Sequence, residues 1–310
     1  MTAPVSGWSG RLAVAIREAL MQSGIVALRL LAHLPYRLLA RLGDGLGLIL
    51  FVLASPRRRI ARINLRLCFP DLPEGERERL ARAHFRAFTR SFLDRFIFWY
   101  GSRERICELC RFEALEHFLL PAQAGRPVIV LAPHFVGIDA GGIRLLLEHP
   151  RLASMYARQK SDALNEAMTR GRIRFQGTML LRNEGLRPAV RWLRDGGAFY
   201  FLPDMDLGAR DALFVPFFGV DAATVTSVAR LAKLTGAAVV PLVTRLTDDG
   251  YVARFYPAWD GYPGEDLEAA TRMLNAFIEE RVREMPEQYL WTHRRFKTRP
   301  PGEPSPYDRR

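Results

Sequence analysis

The chain has 310 residues, 49% hydrophobic and 25% charged, enough for one large domain or two small ones and too apolar to be disordered. Its formal net charge of +12 and isoelectric point near 10.2 point to an anionic partner: nucleic acid, an anionic membrane surface or an acidic protein. Three cysteines, Cys68, Cys107 and Cys110, are too few for a disulfide framework and suit a reducing compartment.

Only Lys160, Lys233 and Lys297 are lysine. Arginine carries the rest, and its fork suits phosphates and carboxylates, although a GC-rich genome gives the same bias. From Gly24 to Ala54 the chain is rich in Leu, Ile, Val and Ala, interrupted by Arg29, His33, Arg37, Arg41 and Asp44. A membrane span needs about 20 mostly apolar residues, and the cleanest window, Leu46 to Ala54, is shorter. Pro56 and Arg57 to Arg59 follow, and such a basic cluster favours anionic headgroups on the cytoplasmic side. The segment reads as a membrane-associated helical pair or an imperfect anchor, with an ordinary amphipathic core helix as the plainer reading. No signal-peptide pattern fits it.

Residues 1–105 are helical in pattern. A helix is expected from Pro73 and Glu74, with Leu80, Phe85, Phe88, Phe92 and Phe96 recurring at helical spacing as a core stripe. Cys107 and Cys110 form a lone C-x-x-C. Structural zinc needs about four ligands, so no metal is expected. From about residue 110 the pattern changes. Apolar runs at 127–132, 198–203, 237–245 and 251–256 alternate with helical stretches, including one from Asp266 to about Glu284. This predicts an α/β domain over 106–300: a mixed, largely buried sheet flanked by helices. The Pro-rich tail, 301–310, is expected to be loosely ordered.

The sequence has no H-E-x-x-H, P-loop, G-x-G-x-x-G or G-x-S-x-G, which argues against a zincin, an NTPase, a dinucleotide enzyme and an α/β-hydrolase. What stands out is VIVLAPHFVGIDAGG at 128–142. Its apolar run places His134 at the carboxyl end of a strand, where α/β folds bind ligands. Asp139 follows five residues on. A carboxylate behind an imidazole fixes its tautomer and makes it a general base. On spacing alone, a helix-capping aspartate and a structurally satisfied histidine are an equally good reading.

H-x4-D after a hydrophobic strand resembles the signature of the glycerolipid acyltransferase superfamily. The wider chain resembles one branch, the late acyltransferases of lipid A biosynthesis (lauroyl and myristoyl transferases). The resemblance rests on NLRLCFPDLPEGERERL at 64–80, LAPHFVGIDAGG at 131–142, MYARQK at 155–160 and RGRIRFQGTML at 170–180. It continues through residues 199–241, FYFLPDMDLGARDALFVPFFGVDAATVTSVARLAKLTGAAVVP, and 286–307, PEQYLWTHRRFKTRPPGEPSPY.

The resemblance implies an N-terminal membrane-associated region, a glycerol-phosphate-acyltransferase-like fold, and a place on the cytoplasmic face of the bacterial inner membrane. It implies acyl transfer from an acyl-carrier-protein thioester to a hydroxyl of an acyl chain on a lipid A precursor, without a cofactor. His134 would be the general base and Asp139 its partner. Arg158 would stabilise the oxyanion, with a backbone amide near Gly137, and the glycines would leave room for an acyl chain. Related acyltransferases carry Glu-Gly where this chain has Pro-Asp-Met-Asp. That role therefore does not transfer, and Asp204 is expected to pair with Arg158 or Arg210, and Asp206 to bind sugar hydroxyls. Arg170, Arg172 and Arg174 alternate like residues on one strand face and would meet lipid phosphates. His293, Arg294 and Arg295, flanked by Trp291 and Phe296, would meet phosphates or dock the acidic carrier protein rather than nucleic acid. Two alternatives remain: a lysophospholipid or glycerol-phosphate acyltransferase with the same dyad, and a non-catalytic basic protein binding membranes or nucleic acid.

Overall fold

In the computed structural model, residues 8–158 and 161–308 are described. Five helices come first: α1 (Trp8–Leu31), α2 (Tyr36–Leu53), α3 (Ser55–Cys68), α4 (Glu74–Tyr100) and α5 (Arg103–Leu109). Then strands and helices alternate as β1 (Cys110–Glu113), α6 (Glu116–Gln123), β2 (Val128–Leu131), α7 (Ile138–Glu148), β3 (Leu152–Tyr156), α8 (Asp162–Ile173) and β4 (Thr178–Leu181). They continue as α9 (Arg187–Arg194), β5 (Ala198–Phe201), β6 (Ala212–Phe217), β7 (Val220–Val225), α10 (Ser227–Thr235), β8 (Ala238–Thr247), β9 (Gly250–Phe255) and α11 (Leu267–Glu284).

The four apolar runs read from the sequence are strands β2, β5, β8 and β9. They belong to a seven-stranded sheet of order β1-β9-β8-β2-β5-β3-β4. Every pairing is parallel except β8 with β9. β6 and β7 form a separate antiparallel hairpin. The central strand β2, Val-Ile-Val-Leu, is buried throughout, as expected for a strand covered on both faces.

The two faces feed two cores. Val128 and Val130 pack with Phe96 to Trp99 of α4 and Leu145 to Leu147 of α7. Ile129 and Leu131 pack with Ile60 and Leu65 of α3, Phe85 of α4 and Ile278 of α11. The N-terminal helices therefore supply part of the sheet's own core. Phe85 and Phe96 are buried and Phe88 and Phe92 half-buried, so the aromatic stripe faces protein.

α2 and α3 meet at a 92° bend. Among the described residues no single helix is long and apolar enough to cross a membrane, although this bent pair has the length and composition. Leu46, Ile49, Val52 and Leu53 of α2 and Leu20, Val26 and Leu30 of α1 are exposed. The three arginines after the bend donate to carbonyls, Arg57 to Thr292, Arg58 to Phe51 and Arg59 to Tyr307. No carboxylate cancels their charge in these contacts.

The tail is more tied down than its composition suggests. Tyr307 is buried; its hydroxyl donates to Asn64 Oδ1 and accepts the Phe296 amide. Cys107 and Cys110 fall on successive elements, α5 and β1. Burial pushes the Cys110 thiol up to about 12, so it behaves as core rather than as a thiolate ligand.

Candidate active site

The sheet register builds the site. β2 and β5 are parallel neighbours, with Leu131 opposite Phe201. Each strand runs on through one apolar residue and a proline: Ala132-Pro133-His134 after β2, Leu202-Pro203-Asp204 after β5. His134 and Asp204 therefore leave the sheet side by side. His134 Nδ1 lies 2.7 Å from Asp204 Oδ1, and the His134 amide donates to Asp204 Oδ2 at 3.0 Å.

Asp204 is buried. Burial alone would raise its carboxyl, but the His134 imidazole and two hydrogen bonds from that residue outweigh it and hold the carboxyl below its usual range. An ionised carboxylate only accepts, so Nδ1 carries a proton, and in the neutral imidazole the lone pair is on Nε2. Among the described residues, nothing hydrogen-bonds to Nε2. The pair thus presents an oriented imidazole with a free basic nitrogen.

Asp139 is not behind the imidazole. It sits on the first turn of α7 and is buried between two cations. Arg172 Nε donates to Oδ1 at 2.9 Å, and Arg95 Nε contacts Oδ2 at 2.7 Å as an ion pair. Burial pushes this carboxyl up, but Arg172 and Arg95 more than offset it and hold it below its ordinary value. Two guanidiniums compete for a carboxylate better than one neutral imidazole does, which leaves His134 to Asp204. Arg95, the α4 partner, was not anticipated. Its sequence neighbourhood is an aromatic helix stripe and gives no sign of a charge turned inward.

The other expected residues are placed as follows. Arg158 is exposed and pairs with Asp162, four residues on at the start of α8, rather than with Asp204. Arg170 and Arg172 lie in the last turn of α8 and Arg174 caps it, so they share no strand face. Arg170 pairs with Glu166, and Arg174 donates to the carbonyls of Trp99 and Gly101. Arg210 is exposed, its nearest carboxylate being its neighbour Asp211 at 3.7 Å. Asp206 is buried and turned inward, accepting from Thr298 N, Thr298 Oγ1 and Gly208 N, so it braces a loop instead of facing sugar hydroxyls. Arg295 is 2% exposed and donates to Ala223 O, Thr224 Oγ1 and Asn275 Oδ1; it is a core brace. Arg294 is exposed and lies over the Tyr307 ring. Gly137 is buried at the start of α7, and its missing side chain is replaced by Thr244 of β8: a Cβ there would fall 2.6 Å from the Thr244 carbonyl. Gly141 meets the Thr244 hydroxyl in the same way. These glycines bring helix and strand together and leave no space for an acyl chain.

His293 does reach the site. Residues 288–290 bond to the turn that carries His134: Val136 N donates to Gln288 O at 2.8 Å and Leu290 N to His134 O at 3.0 Å. Three residues later His293 Nε2 accepts the Asp206 amide at 3.0 Å.

The chain is similar to known proteins along most of its length. The family profile described as bacterial lipid A biosynthesis acyltransferase matches residues 11–298. The lipid A biosynthesis palmitoleoyltransferase of Escherichia coli (strain K12) is 36% identical over 92% of this chain and 93% of its own. The lauroyltransferase of the same organism is 33% identical over 92% and 93%, and its myristoyltransferase 32% over 93% and 90%. Among solved structures, a 1-acyl-sn-glycerophosphate acyltransferase from Thermotoga maritima aligns with 78% of this chain and 97% of its own, at 14% identity and a TM-score of 0.40, too remote to equate the folds.

Proposed function

Because the chain belongs to the bacterial lipid A biosynthesis acyltransferases, and is therefore an acyltransferase, we propose the following reaction. A fatty acyl group passes from an acyl-carrier-protein thioester to a hydroxyl of an acyl chain on a lipid A precursor. The observation that carries the mechanism is the 2.7 Å contact of His134 Nδ1 with buried Asp204, which leaves Nε2 free. His134 Nε2 takes the acceptor hydroxyl's proton as the oxygen attacks the thioester carbonyl. The tetrahedral intermediate collapses, the C–S bond breaks, and the proton passes to the leaving thiolate. Asp204 holds the ring and balances the imidazolium. Such base catalysis contributes about 10²–10⁴-fold. No side-chain nucleophile intervenes, so no acyl-enzyme forms, and the scheme needs no cofactor.

In this reading the reaction takes place at the cytoplasmic face of the inner membrane. The exposed leucines of α1 and α2 would enter the lipid surface, and the arginines after the α2–α3 bend would meet anionic headgroups. Net positive charge suits both an anionic glycolipid and an acidic carrier protein. His134→Ala in the purified enzyme tests the chemistry: acyl transfer is expected to fall by at least about 10²-fold in a protein that circular dichroism shows to be still folded, although less stable for want of the partner of buried Asp204. A folded His134→Ala enzyme with the wild-type rate would overturn the reading.

A further inference from the structure

The scheme leaves the oxyanion without a donor. Arg158, the residue expected there, pairs with Asp162 on the surface. A different group stands ready. His293 Nε2 accepts a backbone N–H, that of Asp206. An amide cannot accept from it, so the ring carries its proton on Nδ1. Among the described residues Nδ1 has no hydrogen-bond partner, and it is not sealed off from solvent.

The ring's setting keeps it neutral. Burial and then the neighbouring His134 push its pKa down to about 4. Its backbone is fixed as well: buried Asn64 donates through Nδ2 to both Trp291 O and His293 O at 2.7 Å. Leu290, three residues before, bonds to His134 O, and Asp206 lies two residues beyond Asp204. The ring is thus tied to both halves of the His134–Asp204 pair, with one N–H unspent.

We infer that His293 is a further catalytic residue: its Nδ1–H donates to the carbonyl oxygen of the reacting acyl group as negative charge develops there. The proposal rests on the acyl-transfer role of His134. A neutral imidazole is well suited to the task, because a preorganised N–H near the reacting carbon stabilises the oxyanion without competing for the proton that His134 removes. No proton is transferred through His293. It is a fixed donor in each step, and the thiol and ester products leave it unchanged.

Two substitutions separate this from a merely structural part. In His293→Gln the side-chain oxygen can occupy the Nε2 position and keep the Asp206 contact, but the Nδ1 donor is gone. In His293→Asn the amide N–H can replace Nδ1–H, but the Asp206 contact is lost. With both variants shown to be folded by circular dichroism, kcat and KM are measured beside His134→Ala. A donor role predicts that Gln lowers kcat by about 10²–10³-fold with KM within about threefold, and that Asn stays within about tenfold of wild type. Wild-type kcat in His293→Gln, or Asn falling as far as Gln, overturns the donor role while an inactive His134→Ala leaves the function intact. Activity that survives His134→Ala overturns both.

Discussion

Two carboxylates near one histidine divide the work according to their neighbours. Asp139 satisfies Arg172 and Arg95, and Asp204 satisfies His134. Removing one member of a buried ionic cluster leaves the others uncompensated, at about 3–5 kcal/mol. Asp139→Asn keeps an acceptor oxygen but loses the charge, so about 3 kcal/mol is expected, read as a lower denaturant midpoint. A midpoint equal to wild type would show that Arg95 and Arg172 do not depend on Asp139. The spacing His134-x4-Asp139 was visible in the sequence, but its partners were not, because Arg95 comes from a helix some forty residues earlier and Arg172 from one thirty-three residues later. The sequence does carry a signal for Asp204 as the partner of His134. VIVLAPH and AFYFLPD have the same length from strand start to proline to polar residue. Only the β2–β5 adjacency, which sequence order does not reveal, turns that likeness into a contact.

At the level of elements, long apolar runs were legible and short half-buried strands were not. β2 and β5, buried at every position, show as unbroken apolar stretches. β4 is only partly buried, and the basic run before it suggested a strand face where α8 stands. α7 docks on β8 through glycines, so its position depends on their size. Gly137→Ala would place a methyl 2.6 Å from the Thr244 carbonyl, which is backbone and cannot rotate away. Such overpacking costs about 1–3 kcal/mol, and the shift falls on the segment joining His134 to Asp139. A lower melting temperature and a lower kcat together are expected in thermal and kinetic assays of this variant. Wild-type values in both would mean that α7 and β8 are not in close contact.

The whole molecule carries a pH response set by its buried rings. Burial pushes His84 down to about 4, and His293 lies there too. His149 is also lowered, by burial and then by Arg151, so below pH 6.5 the unfolded chain takes up protons on three rings that the folded chain resists. Stability is therefore lost as pH falls through that window. Asp94, which burial pushes up to about 6, works the other way: the folded chain takes its proton first, so it returns some stability below pH 6. The ion-paired Asp139 and Asp204, both held below their ordinary range, act in the same direction as the rings, so the net expectation is a fall in stability towards pH 4. Urea unfolding at pH 7, 5.5 and 4 checks it, and flat or rising stability would contradict it. Fold class was legible at this scale from alternating runs and the family resemblance. The sharing of one core by α4 and the sheet, and the anchoring of the tail by Tyr307, were not, since both depend on contacts between segments far apart in sequence.

The most direct test of the His134–Asp204 pair is single-turnover acyl transfer by Asp204→Asn, with wild-type enzyme beside it. The isosteric amide keeps the shape but cannot hold Nδ1–H as an anion does, nor balance the imidazolium. A rate lower by about 10³–10⁴-fold is predicted, in proportion to the loss seen when such a carboxylate is neutralised in a serine-protease triad, with substrate affinity little changed and the protein folded. A folded Asp204→Asn enzyme that transfers acyl groups at the wild-type rate would contradict it.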